Sequence, residues 1–263
     1  MENQKTTQKQ LKAKYREEKR ALKSEYKSRI AVATDSYKNA ILECSSDSDK
    51  PKPINPPKRP ILEEIGNSIT HGLGSIFAIV AFVLMFLAAD TTLERISAIV
   101  YSSGMFIMFT ASCLYHSFAY GSAVKRLFHR FDYSAIYVLI GATFVPVLLC
   151  YFGNTFGFVF LIIQWLIIAT GITFVGIFGP KRLSKLHIPL YVVLGWSALM
   201  LLPGMIIGEP AMAMWILAGG VVYSVGIIPY ALRKGPSHFI WHFFVLAGAV
   251  VQWIGIVSHI YFY

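Results

Sequence analysis

Beyond residue 60 this sequence has almost no charge. Of its 24 Lys and Arg and 14 Asp and Glu, only nine basic and six acidic residues follow that position. Charged residues make up 14% of the chain, where a soluble domain carries about 25%. The hydrophobic share is 55%. About 200 residues of such composition cannot cover themselves with a water-facing surface. A cytosolic enzyme and a secreted domain are excluded. Cysteine is scarce too. Cys44, Cys113 and Cys150 are widely spaced and form no C-x-x-C; they read as free thiols and exclude a disulfide scaffold. The first forty residues are charged and lack an apolar core, so no secretory signal peptide is expected. The net charge of +10 belongs to the tail and to loops on one side of a membrane, which excludes a nucleic-acid partner.

What is present is a polar start followed by long apolar runs. Residues 1–50 form a basic tail, expected to be partly helical. Leu22, Tyr26, Ile30, Ala33, Tyr37 and Ala40 recur at spacings of four, four, three, four and three, one stripe of a helix. That pattern suits a solvated tail, a membrane-surface helix or a self-associating one. Residues 51–60 hold Pro51, Pro53, Pro56, Pro57 and Pro60, an extended linker. Residues 61–263 form the membrane domain. Its apolar runs fall at about 65–89, 95–119, 131–151, 157–178, 188–208, 211–230 and 238–261, each near the roughly 20 residues that cross hydrocarbon. The expected fold is therefore all-α, a seven-transmembrane helix bundle in a cell membrane. Pro146, Pro203 and Pro229 are expected to kink their spans.

Basic residues orient it. Lys125, Arg126 and Arg130, then Lys181, Arg182 and Lys185, then Arg233 and Lys234 occupy alternate connectors, against Arg95 alone on the other side. The basic side is cytoplasmic, which puts the N-terminus inside and the C-terminus outside. Lys125, Arg126, Lys181 and Arg182 read as topology determinants with phospholipid contact.

Ionisable residues inside spans are costly and usually functional. His71, His116, Asp132, His238 and His242 all fall within roughly 10 Å of the cytoplasmic edge at 1.5 Å per residue. His238 and His242, at i and i+4, share a helix face and can chelate one metal ion. Ser112 and His116 have the same spacing, and Glu64, Asn67 and His71 run i, i+3, i+7. Three neutral imidazoles with an open fourth position describe a catalytic zinc site. Asp132 would hold the water and take its proton. Ser112 would hydrogen-bond the water, Asp132 or a substrate oxygen, unless it only packs at a helix crossing. Asn67 would orient a ligand from behind. His71 is read as a supporting partner, a direct ligand or a simple interfacial histidine. His129 and His187 are expected to face water or headgroups, and His259, with Tyr261, Phe262 and Tyr263, to sit in an interfacial aromatic belt.

These motifs together resemble the hemolysin III family: E-x-x-N-x-x-x-H at Glu64 to His71, S-x-x-x-H at Ser112 to His116, R-F-D at Arg130 to Asp132, and H-F-I-W-H at His238 to His242. That family is the bacterial branch of the progestin and adipoQ receptors and groups with alkaline ceramidases as proposed membrane hydrolases. The resemblance implies a seven-helix fold, a cytoplasmic N-terminus, zinc held by His116, His238 and His242, and Asp132 and Ser112 supporting a zinc-bound water. Glu64, Asn67 and His71 would stand behind the ligands. The chain departs from the family pattern at Tyr133 and Gln252, where many members have His, and in its longer N-terminal extension.

The expected activity is zinc-dependent hydrolysis of a lipid-like amide or ester, with membrane lipids as the surround. The alternative is a non-enzymatic homeostasis or sensor protein with structural zinc. A pore-forming cytolysin fits poorly, because no span carries a continuous polar stripe.

Overall fold

The computed structural model describes residues 2–45, 54–232 and 235–262. Pro51, Pro53, Arg233, Lys234 and Tyr263, and the Cys44 side chain, lie outside the described residues. Two units are distinct, residues 1–53 and 54–263.

The first unit is helix α1, Glu2–Ser45, without a break. Every described side chain along it is exposed. The second unit is helical throughout its described residues, with no strand among them. Residues 54–60 carry no regular structure, and Pro56 within them is buried. Helix α2 spans Ile61–Ala88, α3 Thr92–Ser117, α4 Ala123–Pro146, α5 Thr155–Phe178, α6 Ser184–Trp196, α7 Leu202–Gly208, α8 Pro210–Leu232 and α9 Ser237–Ile256. Six spans are continuous helices long and apolar enough to cross a membrane. The pair Ser184–Met200 and Leu202–Gly208, bent by 43°, makes a seventh when taken as one span. The expected all-α membrane bundle is therefore found.

Several boundaries differ from expectation, each for a local reason. α4 starts eight residues before the expected 131, because the Ser122 hydroxyl accepts from the Lys125 N–H and caps the helix. It also runs through Pro146 into a wide π-helical turn, Val147–Phe152, that ends on Gly153 at φ 55°. The fifth span is not one straight helix. It tightens at Ser197–Met200 and breaks before Pro203, which has no N–H to continue the ladder. At the far end of α3, Thr91 and Glu94 form a reciprocal capping box, satisfying first-turn N–H groups. Tyr261 is not in a lipid-facing belt as expected. It is buried and its hydroxyl donates to the Glu94 carbonyl at 2.9 Å.

α2 packs on α3 and α9, α3 on α4, and α8 on α9. The seam of α2 is Asn67, Thr70, His71, Gly74, Ala78, Ala81 and Met85, and the series Asn67, His71, Gly74, Ala78, Ala81, Met85 steps by three or four so that one face lies against its neighbours. Gly74 is required there, since a Cβ would meet the Phe109 ring at 2.5 Å. Gly66 serves likewise two turns earlier, against Phe239 at 2.7 Å. That close approach brings the start of α9 against the first turns of α2.

Candidate metal centre

The polar residues of four helices converge at one end of the bundle. α2 offers Glu64, Asn67 and His71 on one face, α3 offers Ser112 and His116, α4 offers Asp132, and α9 offers His238 and His242. His116, His238 and His242 each present a ring nitrogen, and the three nitrogens lie within 4.8 Å of one another. His116 and His242 are buried and His238 is half-buried.

The geometry fits a cation. His238 Nε2 and His242 Nε2 are 3.2 Å apart. Two nitrogens on one tetrahedral zinc, at about 2.0–2.1 Å each, stand about 3.3 Å apart. His116 is oriented from behind: its Nδ1–H donates to Glu64 Oε2 at 2.5 Å. This fixes the tautomer and leaves Nε2 with its lone pair. Nε2 of His116 is buried with no hydrogen-bond partner in the protein, an orphan acceptor of the kind that needs an account. The Asn67 amide lies 3.3 Å from the same Nδ1, which makes it a neighbour of the Glu64 bond. The donor set, three imidazoles with carboxylate support, can hold a metal ion.

His71 does not share that triad of nitrogens. It stacks on His242, centroids 3.8 Å apart, with Phe109 edge-on at 5.2 Å. Its two ring nitrogens are buried without hydrogen-bond partners. It therefore packs against a candidate ligand and holds that ring flat. Asp132 is half-buried on α4 and has the Ser112 hydroxyl and the His116 ring among its neighbours. Arg130 of the same motif turns away and donates to the Gly176 carbonyl at 3.2 Å.

Two residues escaped the sequence reading. Lys125, expected at the surface as a topology determinant, is 1% exposed. Its Nζ lies 3.0 Å from Glu64 Oε1, donates to the Tyr115 and Phe118 carbonyls at 3.1 and 3.0 Å, and rests over the Tyr115 ring at 4.8 Å. Its charge thus neutralises the carboxylate that orients His116, and it closes the end of α3, whose last carbonyls have no helical partner. Arg59, in the linker, pairs with Glu63 at 3.5 Å. Its Nε is buried and unpartnered. No spacing rule finds either residue, because each lies in a segment that reads as connector. His129 and His187 also differ from expectation. Both are buried, His129 stacked on Tyr115 and His187 within 2.9 Å of the Tyr137 hydroxyl.

Comparison with known proteins follows the same stretch of chain. Residues 60–253 match the family model "Haemolysin-III related". The chain is 34% identical to Hemolysin-3 of Bacillus cereus over 205 residues, covering 76% of this chain and 93% of that one. It is 35% identical to the Hemolysin-3 homolog of Bacillus subtilis (strain 168) over 204 residues, 76% and 95% of the two chains. It is 30% identical to the monocyte to macrophage differentiation factor of Homo sapiens over 210 residues, 76% and 85%.

Proposed function

We propose, from the premise that this chain belongs to the haemolysin-III-related family, that it is a zinc-dependent hydrolase of a lipid-like amide or ester at the cytoplasmic leaflet of the cell membrane. The observation that carries this reading is the buried, unpartnered Nε2 of His116, facing His238 and His242 while its other nitrogen is locked by Glu64. His116, His238 and His242 would hold zinc, whose preference for imidazole and for three protein ligands with one open position suits this set. Bound there, zinc would supply a Lewis acid and lower the pKa of water to about 7.

The chain's own residues do the rest. Glu64, steadied by Lys125, keeps His116 in the ligating tautomer. Asp132 takes the proton of the attacking water and hands it to the leaving amine or alcohol. Ser112 hydrogen-bonds Asp132 or the substrate oxygen and fixes its direction. The ring of His71 braces His242. Apolar helix faces around the site suit an acyl chain and exclude bulk water. The bias of basic residues supports a cytoplasmic position for this end of the bundle.

Elemental analysis and an activity panel test the reading together. The purified chain should carry about one zinc, as a single three-histidine site requires, and His238→Ala should lose it. Asp132→Ala should keep the zinc and lose hydrolysis of acyl amides and esters. Full zinc content with an inert wild-type chain would leave a sensor or homeostasis protein with structural zinc. Absence of zinc from wild-type protein would refute both.

A further inference from the structure

The residues that lead into α2 are pinned before the helix begins. Lys58 and Arg59 stand just ahead of the first span, and no acidic residue lies between Asp49 and Glu63. Asn55 and Arg59 each precede a proline, which restricts both to extended backbone. Pro56 is buried, Asn55 Oδ1 accepts from Arg126 Nη1 at 3.2 Å, and Lys58 Nζ lies over the Tyr120 ring at 5.9 Å. The segment therefore rests on the corner between α3 and α4. Just beyond it, Ile61 and Leu62 are 78% and 84% exposed. Exposed aliphatic residues that open a span face lipid, so Arg59, two residues earlier, stands at the depth of the headgroups.

Arg59 has an unmet donor there. Its Nη1 lies 3.5 Å from Glu63 Oε1, while its Nε is buried with no hydrogen-bond partner. Nε and Nη2 share the edge of a guanidinium that grips two oxygens of a carboxylate or phosphate. A buried donor on a charged group is costly to leave unmet, so an oxygen belongs beside it. The side chain is 20% exposed, which leaves it within reach of a headgroup.

Charge selects the oxygen. Lys58, Arg59, Lys125 and Arg126 gather at this corner against Glu63 and Glu64. Glu63 is paired with Arg59 and Glu64 with Lys125. Among the described residues no carboxylate pairs with Lys58 or Arg126, so their charges are in surplus. The first turn of α2 has no side-chain cap, and its N–H groups favour an anion at the same end. Water would meet Nε and leave the surplus. An anionic phosphate meets both, and the headgroup layer supplies phosphates at this depth.

We propose that Arg59, with Lys58 and Arg126, binds the phosphate of an anionic lipid in the leaflet at this end of the bundle. The site is independent of what the metal centre does.

Native mass spectrometry of the full-length chain, released from nanodiscs of mixed phosphatidylcholine and phosphatidylglycerol, tests this. The wild-type chain should retain phosphatidylglycerol in preference to phosphatidylcholine. Arg59→Gln should weaken that retention about tenfold, the worth of a hydrogen bond to a charged group. Lys58→Gln and Arg126→Gln should each weaken it less. Lys181→Gln, which removes an exposed charge from another connector, should leave it unchanged. Glu63→Gln frees Arg59 of its carboxylate and should strengthen retention, a gain that misfolding cannot produce. Excess inorganic phosphate, which lacks acyl chains, should not displace the lipid. A wild-type chain that retains neither lipid or both alike, an Arg59→Gln chain that behaves as Lys181→Gln does, weaker retention in Glu63→Gln, or displacement by inorganic phosphate would each overturn the proposal.

Discussion

Helices α1 and α2 are built on opposite plans. α1 is polar around most of its circumference and carries a narrow apolar stripe. α2 turns that arrangement inside out. Its buried face holds Asn67, Thr70, His71 and Gly74, while Ile65, Ile69, Leu73 and Ile76 are exposed. In water the second plan would expose a large apolar surface and hide polar groups. In hydrocarbon it is the stable one, because lipid tails solvate aliphatic side chains and small or polar residues let helices approach and bond. The medium, not the count of apolar residues, decides which face of a helix is the inside.

Substitutions can sharpen this contrast. The largest effect belongs to the buried charge. Lys125→Met strands Glu64 without its cation, and breaking a buried pair this way costs about 3–5 kcal/mol. It should appear as a large loss of unfolding stability in mild detergent. Next comes the same change made on each helix. Ile76→Asp, at a site 59% exposed in mid-span, should cost about 2.5–3.5 kcal/mol in a membrane-insertion assay. Ile30→Asp, 48% exposed on α1, should leave insertion unchanged. Equal effects at the two positions would break the comparison. Gly74→Val forces a side chain into the Phe109 ring and should cost about 1–3 kcal/mol of bundle stability. Lys181→Met, at an exposed position, should stay within about 0.5 kcal/mol by the same unfolding measurement.

The spans were legible because bilayer thickness imposes a length on each apolar run. The histidine layer was legible because imidazoles inside spans are rare and the i, i+4 spacings set their faces. The start of α4 was not, since Lys125, Arg126 and Arg130 look like a connector until Ser122 caps the helix ahead of them. Lys125 was misplaced for the same reason. A lysine beside a loop reads as a surface charge, and only its partner on a distant helix reveals it as buried. His187 was hidden similarly: the hydroxyl of Tyr137 that accompanies it into the interior lies on another span. Pro203 did mark the break in the fifth span, though the tight turn before it left no sequence signature.

The three bonds of the Lys125 ammonium carry a consequence for anyone who would transplant this centre into another scaffold. Copying the three histidine-bearing helix ends would not suffice. The tautomer of His116 that could hold a metal is inherited from Glu64, and Glu64 is held by a cation that also seals the end of α3. A graft without the α3–α4 corner would deliver imidazoles free to spin and a carboxylate with nothing to answer it.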